Sequence, residues 1–212
     1  MLDLYARTYE GKPLGKADFV VSADEKTSIQ ARIRCHETLP ADKGRTKRVE
    51  FEYERGGALQ CLAAWDVHRA TIFGRCEITT GIEPFGRLVE QVMSVEPYAS
   101  ARRVFWVVDN GSSHRGKKSV ERLAARWPSL HLVHVPVHAS WLNKVEIYFS
   151  VIQRKVLTPS DFTSLAEVEE RLLAFERRYE RTALPFERKF TRHDLAKLME
   201  RLADKPDYPI AA

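Results

Sequence analysis

Five apolar residues in a row, Val104-Phe-Trp-Val-Val108, follow Arg103 and stop abruptly at Asp109-Asn-Gly-Ser-Ser-His114. A run of that length, rich in β-branched and aromatic side chains, is strand-sized rather than helix-sized. It has no polar face, so it reads as a strand buried on both faces. Such strands occur inside sheets that carry layers on either side. That one segment directs the reading of the rest.

Around it, Asp18-Phe-Val-Val-Ser22 is a short apolar run leading to Ala23-Asp24-Glu25-Lys26. Two further runs, Ala58–Val67 and Thr71–Ile78, flank the short link His68-Arg-Ala70 and predict a β-hairpin, with Val49–Tyr53 extending its first arm. Pro84–Ser94 has helical spacing, with Pro84 tolerated in the first turn. A helix over 117–127, closed by Pro128, precedes a strand over Leu130–Val135, stopped by Pro136. Apolar spacing predicts a helix over Trp141–Val156, another over Leu165–Tyr179 with Ser164 and Glu167 as a capping box, and a last one over Arg192–Leu202. Residues 204–212, with two prolines, read as a loose end. A hairpin followed by alternating α and β elements predicts an α/β mixed sheet with helices on both faces. One domain over residues 1–212 is expected, with its core over about 16–157 and a C-terminal helical extension over about 158–203. Order alone leaves several mixed-sheet folds open.

Composition suits that picture: 44% of the 212 residues are hydrophobic, enough for one substantial core. No stretch reaches the roughly 18 apolar residues of a membrane helix, and the N-terminus lacks a secretory pattern. A soluble, cytoplasmic protein is expected. Cys35, Cys61 and Cys76 form no CxxC pair, and Cys61 and Cys76 read as small fillers of strands. The net charge of +5 favours polyanionic partners, and Lys43–Arg48, Arg115–Lys118 and Arg177–Arg181 are separate basic clusters. A solvated surface explains any one of them equally well.

Three acids occupy informative places. Asp24 follows the first apolar strand, Asp109 follows the most hydrophobic one, and Glu146 lies on a helix just after Trp141-Leu142. Ends of neighbouring strands border a shared crevice where ligands collect. Carboxylate oxygens suit Mg²⁺ or Mn²⁺, and two such ions can clamp both oxygens of an in-line phosphoryl displacement. HExxH, Walker and GxSxG motifs are lacking. The competing reading is that Asp109 before Asn-Gly only shapes a turn and that Glu146 is a surface helix residue.

The segments Val21–Gln30, Val107–His114, His138–Ser150 and Thr182–Phe186, with Phe190–Leu195, resemble the DDE transposases of bacterial insertion sequences related to the mariner superfamily, the DDE superfamily endonucleases. The 36 residues between Asp109 and Glu146 are close to that group's spacing. The resemblance implies a ribonuclease-H-like fold and two divalent ions, Mg²⁺ or Mn²⁺, held by Asp24, Asp109 and Glu146. It further implies cleavage of phosphodiester bonds at DNA ends, strand transfer into target DNA, and a homodimer assembled on DNA in the nucleoid. Lys26, His114, Arg115, Lys117, Lys118, His138, Trp141 and Asn143 are candidate DNA contacts beside the acids. Asn110 and His114 can orient a water or contact phosphate or simply shape the turn, and Trp141 can stack on a base or be core packing. Helix-turn-helix modules of the family's usual kind have no room before the first strand. A nuclease that cuts without joining, or an inactive DNA-binding remnant, are the alternatives.

Overall fold

The computed structural model describes residues 1–111, 117–137, 139–186 and 190–203. A short helix α1 (Leu2–Tyr5) and a two-stranded hairpin, β1 (Thr8–Tyr9) and β2 (Lys12–Pro13), lead into the main sheet. Its strands are β3 (Asp18–Arg34), β4 (Tyr53–Asp66), β5 (Ile72–Glu77), β6 (Arg103–Val108) and β7 (Leu130–His134), in the order β5-β4-β3-β6-β7. β4 runs antiparallel to β3 and β5, whereas β6 is parallel to β3 and β7 parallel to β6. The helices are α2 (Ile82–Met93), α3 (Lys117–Arg126), α4 (Val145–Ile152), α5 (Leu165–Glu180) and α6 (Arg192–Ala203). Among the described residues no helix is long and apolar enough to cross a membrane.

Successive strand residues point to opposite faces, and the sheet divides its side chains accordingly. Val20, Ala31, Ala63, Trp65, Phe105 and Val107 join one core with Val145, Tyr148 and Phe149 of α4 and Val168 and Leu172 of α5. Val21, Ala23, Leu62, Ala64, Val104, Trp106 and Val108 join the other with Phe85, Leu88, Val89 and Val92 of α2 and Leu123 of α3. The apolar run of β6 is thus buried from both sides, with Val104 to Val108 at most 1% exposed. The α/β sandwich expected from that run is the fold observed. Ser164 caps α5 by accepting the Glu167 N–H at 3.2 Å, as the capping box predicts. Cys61 is buried on β4 opposite Cys76 on β5.

Three expectations need correction. The first strand does not end near Ser22: β3 runs for 17 residues because β4 continues the ladder opposite its polar stretch, pairing Asp24 with Ala63 and Lys26 with Cys61. The hairpin's first arm begins at Tyr53 rather than Val49, and Phe51 stands 89% exposed, so the alternation before it buries nothing. The helix expected over 141–156 is broken into a 3₁₀ turn (Ser140–Leu142), α4 and a π turn (Gln153–Leu157).

One ion cluster fixes the parallel register. Asp18, at the start of β3, has a side chain with no exposed surface, and it receives both Nε and Nη2 of Arg102 and of Arg103 at 2.7–3.0 Å plus the Gly15 N–H at 2.8 Å. The guanidinium of Arg103, aided by Arg102 against the cost of burial, holds this carboxyl well below the usual carboxylate range. Its contribution is therefore present above the unfolded-state value near 3.9 and is lost as pH falls towards the lower folded value. Replacing Asp18 by Asn should cost about 2–3 kcal/mol in urea denaturation at pH 7. The gap from wild type should narrow as pH falls below about 4; a gap independent of pH would contradict the charged pairing.

Candidate active site

The site grows from the pairing of β3 with β6. Their ladder sets Asp18 against Arg103 and Ser22 against Val107. Extending that register by two residues puts Asp24 level with Asp109. Neighbouring strands lie about 4.8 Å apart, so both aspartates border one crevice. Asp24 is an interior strand residue, 7% exposed, and Asp109 follows the last residue of β6.

Glu146 arrives from the other side, on the first turn of α4. A buried polar clasp puts it there. Asn143, 0% exposed, donates from Nδ2 to the Ala23 carbonyl at 2.9 Å and to Asp24 Oδ2 at 3.0 Å. Its Oδ1 accepts a short hydrogen bond from Ser22 Oγ, which itself accepts the Val145 N–H at 2.9 Å. Asn143 also offers its backbone carbonyl to the Glu146 N–H at 3.2 Å. Its extended backbone, at ψ 111, interrupts the helix so that the amide can reach β3. Asn143 therefore faces the protein with both ends of its amide engaged, and its expected DNA contact is withdrawn.

The three carboxylates sense one another. Burial pushes Asp24 up to about 7 against the Glu25 N–H that it accepts, and the charges of Asp109, Glu146 and Glu25 add to the rise. Glu146 is also raised, again chiefly by burial; nearby Lys26 and a hydrogen bond with Asp24 oppose the rise, and Asp109 adds to it. Among the described residues no three acidic, Cys or His side chains already stand as a closed metal-binding cluster. The trio is an electrostatic neighbourhood of hard oxygen donors rather than a finished coordination shell.

Asp109 also shapes the turn, as its alternative reading has it: Oδ1 accepts the Gly111 N–H at 2.7 Å. Asn110 donates to the Val135 carbonyl at 2.8 Å and ties the end of β6 to the chain after β7. The charge of Lys26 is within electrostatic reach of Glu146, and Lys118 is exposed on α3. Lys117 begins that helix, but its side chain lies outside the described residues, as do His114, Arg115 and His138. Trp141 is 38% exposed and meets Phe190 edge-on at 4.9 Å. It lines a cavity of about 510 Å³ with Tyr5, Leu142, Phe186 and Phe190, and none of the three acids borders that cavity. Sequence reading missed Ser22 as the anchor of the site; its place two residues before Asp24 is the only signal it leaves.

A family model described as "DDE superfamily endonuclease" matches residues 19–169. No curated protein sequence matches the chain. Among solved structures it resembles the Mos1 mariner paired end complex with Mn at 16% identity and TM-score 0.57, over 95% of this chain and 57% of that one. The Mos1 strand transfer complex matches at 16% identity and TM-score 0.56, over 95% and 56% of the two chains. The catalytic domain of Mos1 mariner transposase matches at 14% identity and TM-score 0.53, over 95% and 84%. The chain thus spans less than two thirds of the first of these structures. Such likeness concerns the fold, which is ribonuclease-H-like as expected.

Two outcomes follow from the clasp and the buried acid. Asn143→Leu removes the acceptor of the Ser22 hydroxyl and the donor to the Ala23 carbonyl and Asp24, and should lower stability by about 2–4 kcal/mol in urea denaturation. Asp24, raised from about 3.9 in the unfolded chain, favours the fold below that value, and this contribution is lost as pH rises towards 7. In metal-free buffer, the stability of Asp24→Asn relative to wild type should grow from pH 4 to 7 and then level off. A flat difference across that range would mean that Asp24 is not raised.

Proposed function

The chain belongs to the DDE superfamily endonucleases, and from that footing we propose that it is the catalytic domain of a transposase that cuts phosphodiester bonds at DNA ends and transfers the freed 3′-OH into target DNA. The observation that carries the reading is the convergence of Asp24, Asp109 and Glu146 from two adjacent parallel strands and one helix, each within electrostatic reach of the others.

Mg²⁺ or Mn²⁺ fits this donor set. The residues that would hold it are Asp24, Asp109 and Glu146, which supply only hard oxygens. The rise in Asp24 and the mutual repulsion of the three acids mark a place where a divalent cation would be favoured. Two ions, when bound, would supply charge neutralisation for the transferring phosphoryl group and a more acidic water. The chain's own contribution is position. Asn143 holds one oxygen of Asp24, the Glu25 N–H holds the other, and the Gly111 N–H holds Asp109. With both aspartates restrained from the protein side, less reorganisation is left for the moment of reaction. Lys26 adds positive charge beside Glu146, suited to an approaching phosphate. Lys118 and the partly exposed Trp141 remain candidates for contacts with the DNA backbone and bases. A pair of copies assembled on DNA is part of the same reading, since two ends must be joined; light scattering with and without end DNA tests it.

The deciding measurement is Mg²⁺- or Mn²⁺-dependent nicking of supercoiled DNA, followed by joining of pre-cut ends. Asp24→Ala, Asp109→Ala and Glu146→Ala should each lower nicking by at least about 10²-fold while remaining folded. Nicking without joining would assign a nuclease. No nicking by the folded wild type with supplied ends would assign an inactive DNA-binding remnant.

A further inference from the structure

Beyond Lys26, β3 borders a second and different depression. This groove, about 310 Å³, runs between the distal half of β3 and the segment after the π turn, and Lys26, Thr27, Ser28, Arg32, Thr158 and Ser160 are among its lining residues. The lining holds two cations, several hydroxyls and amides, and no carboxylate. The strand is irregular at this point. Its register with β4 shifts between Lys26 and Ile29, and Ser28 adopts a left-handed backbone at φ 57. Such bulges re-aim side chains next to functional sites.

Arg32 is the group that most needs a partner. Its Nε is buried with no hydrogen-bond acceptor, and no carboxylate pairs with its guanidinium among the described residues. The nearest acid in the chain's pairing, Asp161, is taken by Arg34 at 2.8 Å. The Arg32 guanidinium instead lies over the Tyr53 ring, 4.9 Å from its centroid, which fixes its plane, and the residue lines the groove. A guanidinium carries five donors in a planar fork suited to phosphate oxygens. Gln153 and Leu157 of the π turn line the opposite wall, and Arg154 and Lys155 of the same turn are exposed outside the lining. The groove is also continuous with the acids: Lys26 stands two residues beyond Asp24 on the same strand and is within electrostatic reach of Glu146.

We infer that this groove is a backbone-phosphate site, in which the Arg32 fork, with Lys26 at the near end, grips the DNA strand leading away from the three carboxylates. The inference rests on the reading of the chain as a DNA-processing enzyme and adds where the strand lies. From Asp24 to Arg32 the strand extends roughly 25 Å, equivalent to about seven base-pair rises. The gripped phosphate therefore lies within about seven nucleotides of the bond being cut. It is a positioning site, remote from the reacting atoms.

The test is binding of labelled duplex DNA across a salt series, using Asp109→Ala protein so that the probe stays intact. Arg32→Gln should reduce the slope of log K against log salt by about 0.9, the value for one lost phosphate contact. Arg32→Lys should keep the slope and lose affinity, since it keeps the charge without the fork. A methylphosphonate scan should weaken the Arg32-containing protein at one position within about seven nucleotides of the end, and leave Arg32→Gln indifferent there. Thr27→Glu, an exposed substitution that leaves Arg32 and Tyr53 in place, should weaken binding in the same region even if Arg32→Gln is poorly folded. An unchanged slope, or an unchanged methylphosphonate pattern in Arg32→Gln, would overturn the site. Competition by inorganic pyrophosphate that depends on Arg32, with the DNA slope unaltered, would assign the groove to small phosphates and overturn it too. These binding curves are separable from nicking. Failure of the groove leaves an Arg32→Gln enzyme that nicks as wild type, whereas failure of the catalytic reading leaves no nicking and the same binding curves.

Discussion

The buried amide of Asn143 is the interaction on which the rest of the site depends. An Asn with no exposed surface is costly unless its donors and acceptor are satisfied. Here they are satisfied by Ser22, Ala23 and Asp24, all on one short piece of β3. The same piece reaches α4 through the Val145 N–H. The clasp therefore does two things at once. It ends the 3₁₀ turn and starts α4 at a defined residue, and it brings the first turn of α4 against the strand that carries Asp24. Apolar packing of Val145, Tyr148 and Phe149 presses the helix onto the sheet, but packing alone tolerates sliding. Directional hydrogen bonds at a buried position do not, so Glu146 has one place to be.

The second constraint lies at the far end of the same strand. Asp18 binds Arg102 and Arg103 where β3 and β6 begin, and parallel pairing from that point fixes which residues stand level at their other ends. Since side chains alternate, a slip of one residue would turn Asp24 to the opposite face and move Val20 out of its core. The sheet's outer edge is protected by comparable means. On β5, the Gly74 N–H is accepted by Glu176 of α5 at 3.0 Å, and its carbonyl receives Gln91 of α2 at 3.2 Å. A Cβ at Gly74 would stand 2.0 Å from the Glu176 carboxylate, so any larger residue would push that carboxylate aside from its present place. Both helical layers thus cap the backbone of an edge strand that would otherwise offer free pairing groups.

What the sequence disclosed follows from how each residue earns its place. Val104–Val108 was legible because continuous apolarity admits few interpretations, and with it came the strand's end before Asp109 and the layered sheet. The hairpin and α5 were legible through alternation and a capping box. The setting of Asp24 was misjudged: Asp-Glu-Lys-Thr-Ser looks like a strand's end, and only the β4 partner reveals that the strand continues. Asn143 misled for a related reason. Asparagine favours surfaces and turns, and nothing local in Trp-Leu-Asn-Lys-Val announces that β3 is waiting 120 residues away to receive the amide. The apolar spacing of Leu142, Val145 and Phe149 likewise suggested one unbroken helix, because periodicity records which side chains are buried and is blind to a single extended residue between two turns. Arg32 gave no local signal at all; its unpaired state is a property of the tertiary neighbourhood.

Assembling three acids at one crevice opposes folding, since Asp24 is nearly denied water and each acid has like charge beside it. The arrangement persists because the opposing terms are spread over elements that have other reasons to be in place. β3 and β6 are fixed by their shared core and by Asp18. α4 is fixed by the Ser22–Asn143 clasp and by the apolar face that it shares with α5. None of these anchors uses the outward lone pairs of the acids, and the N–H groups of Glu25 and Gly111 approach from the protein side. A scaffold that restrains two acids from behind leaves less to rearrange at the cation site proposed above.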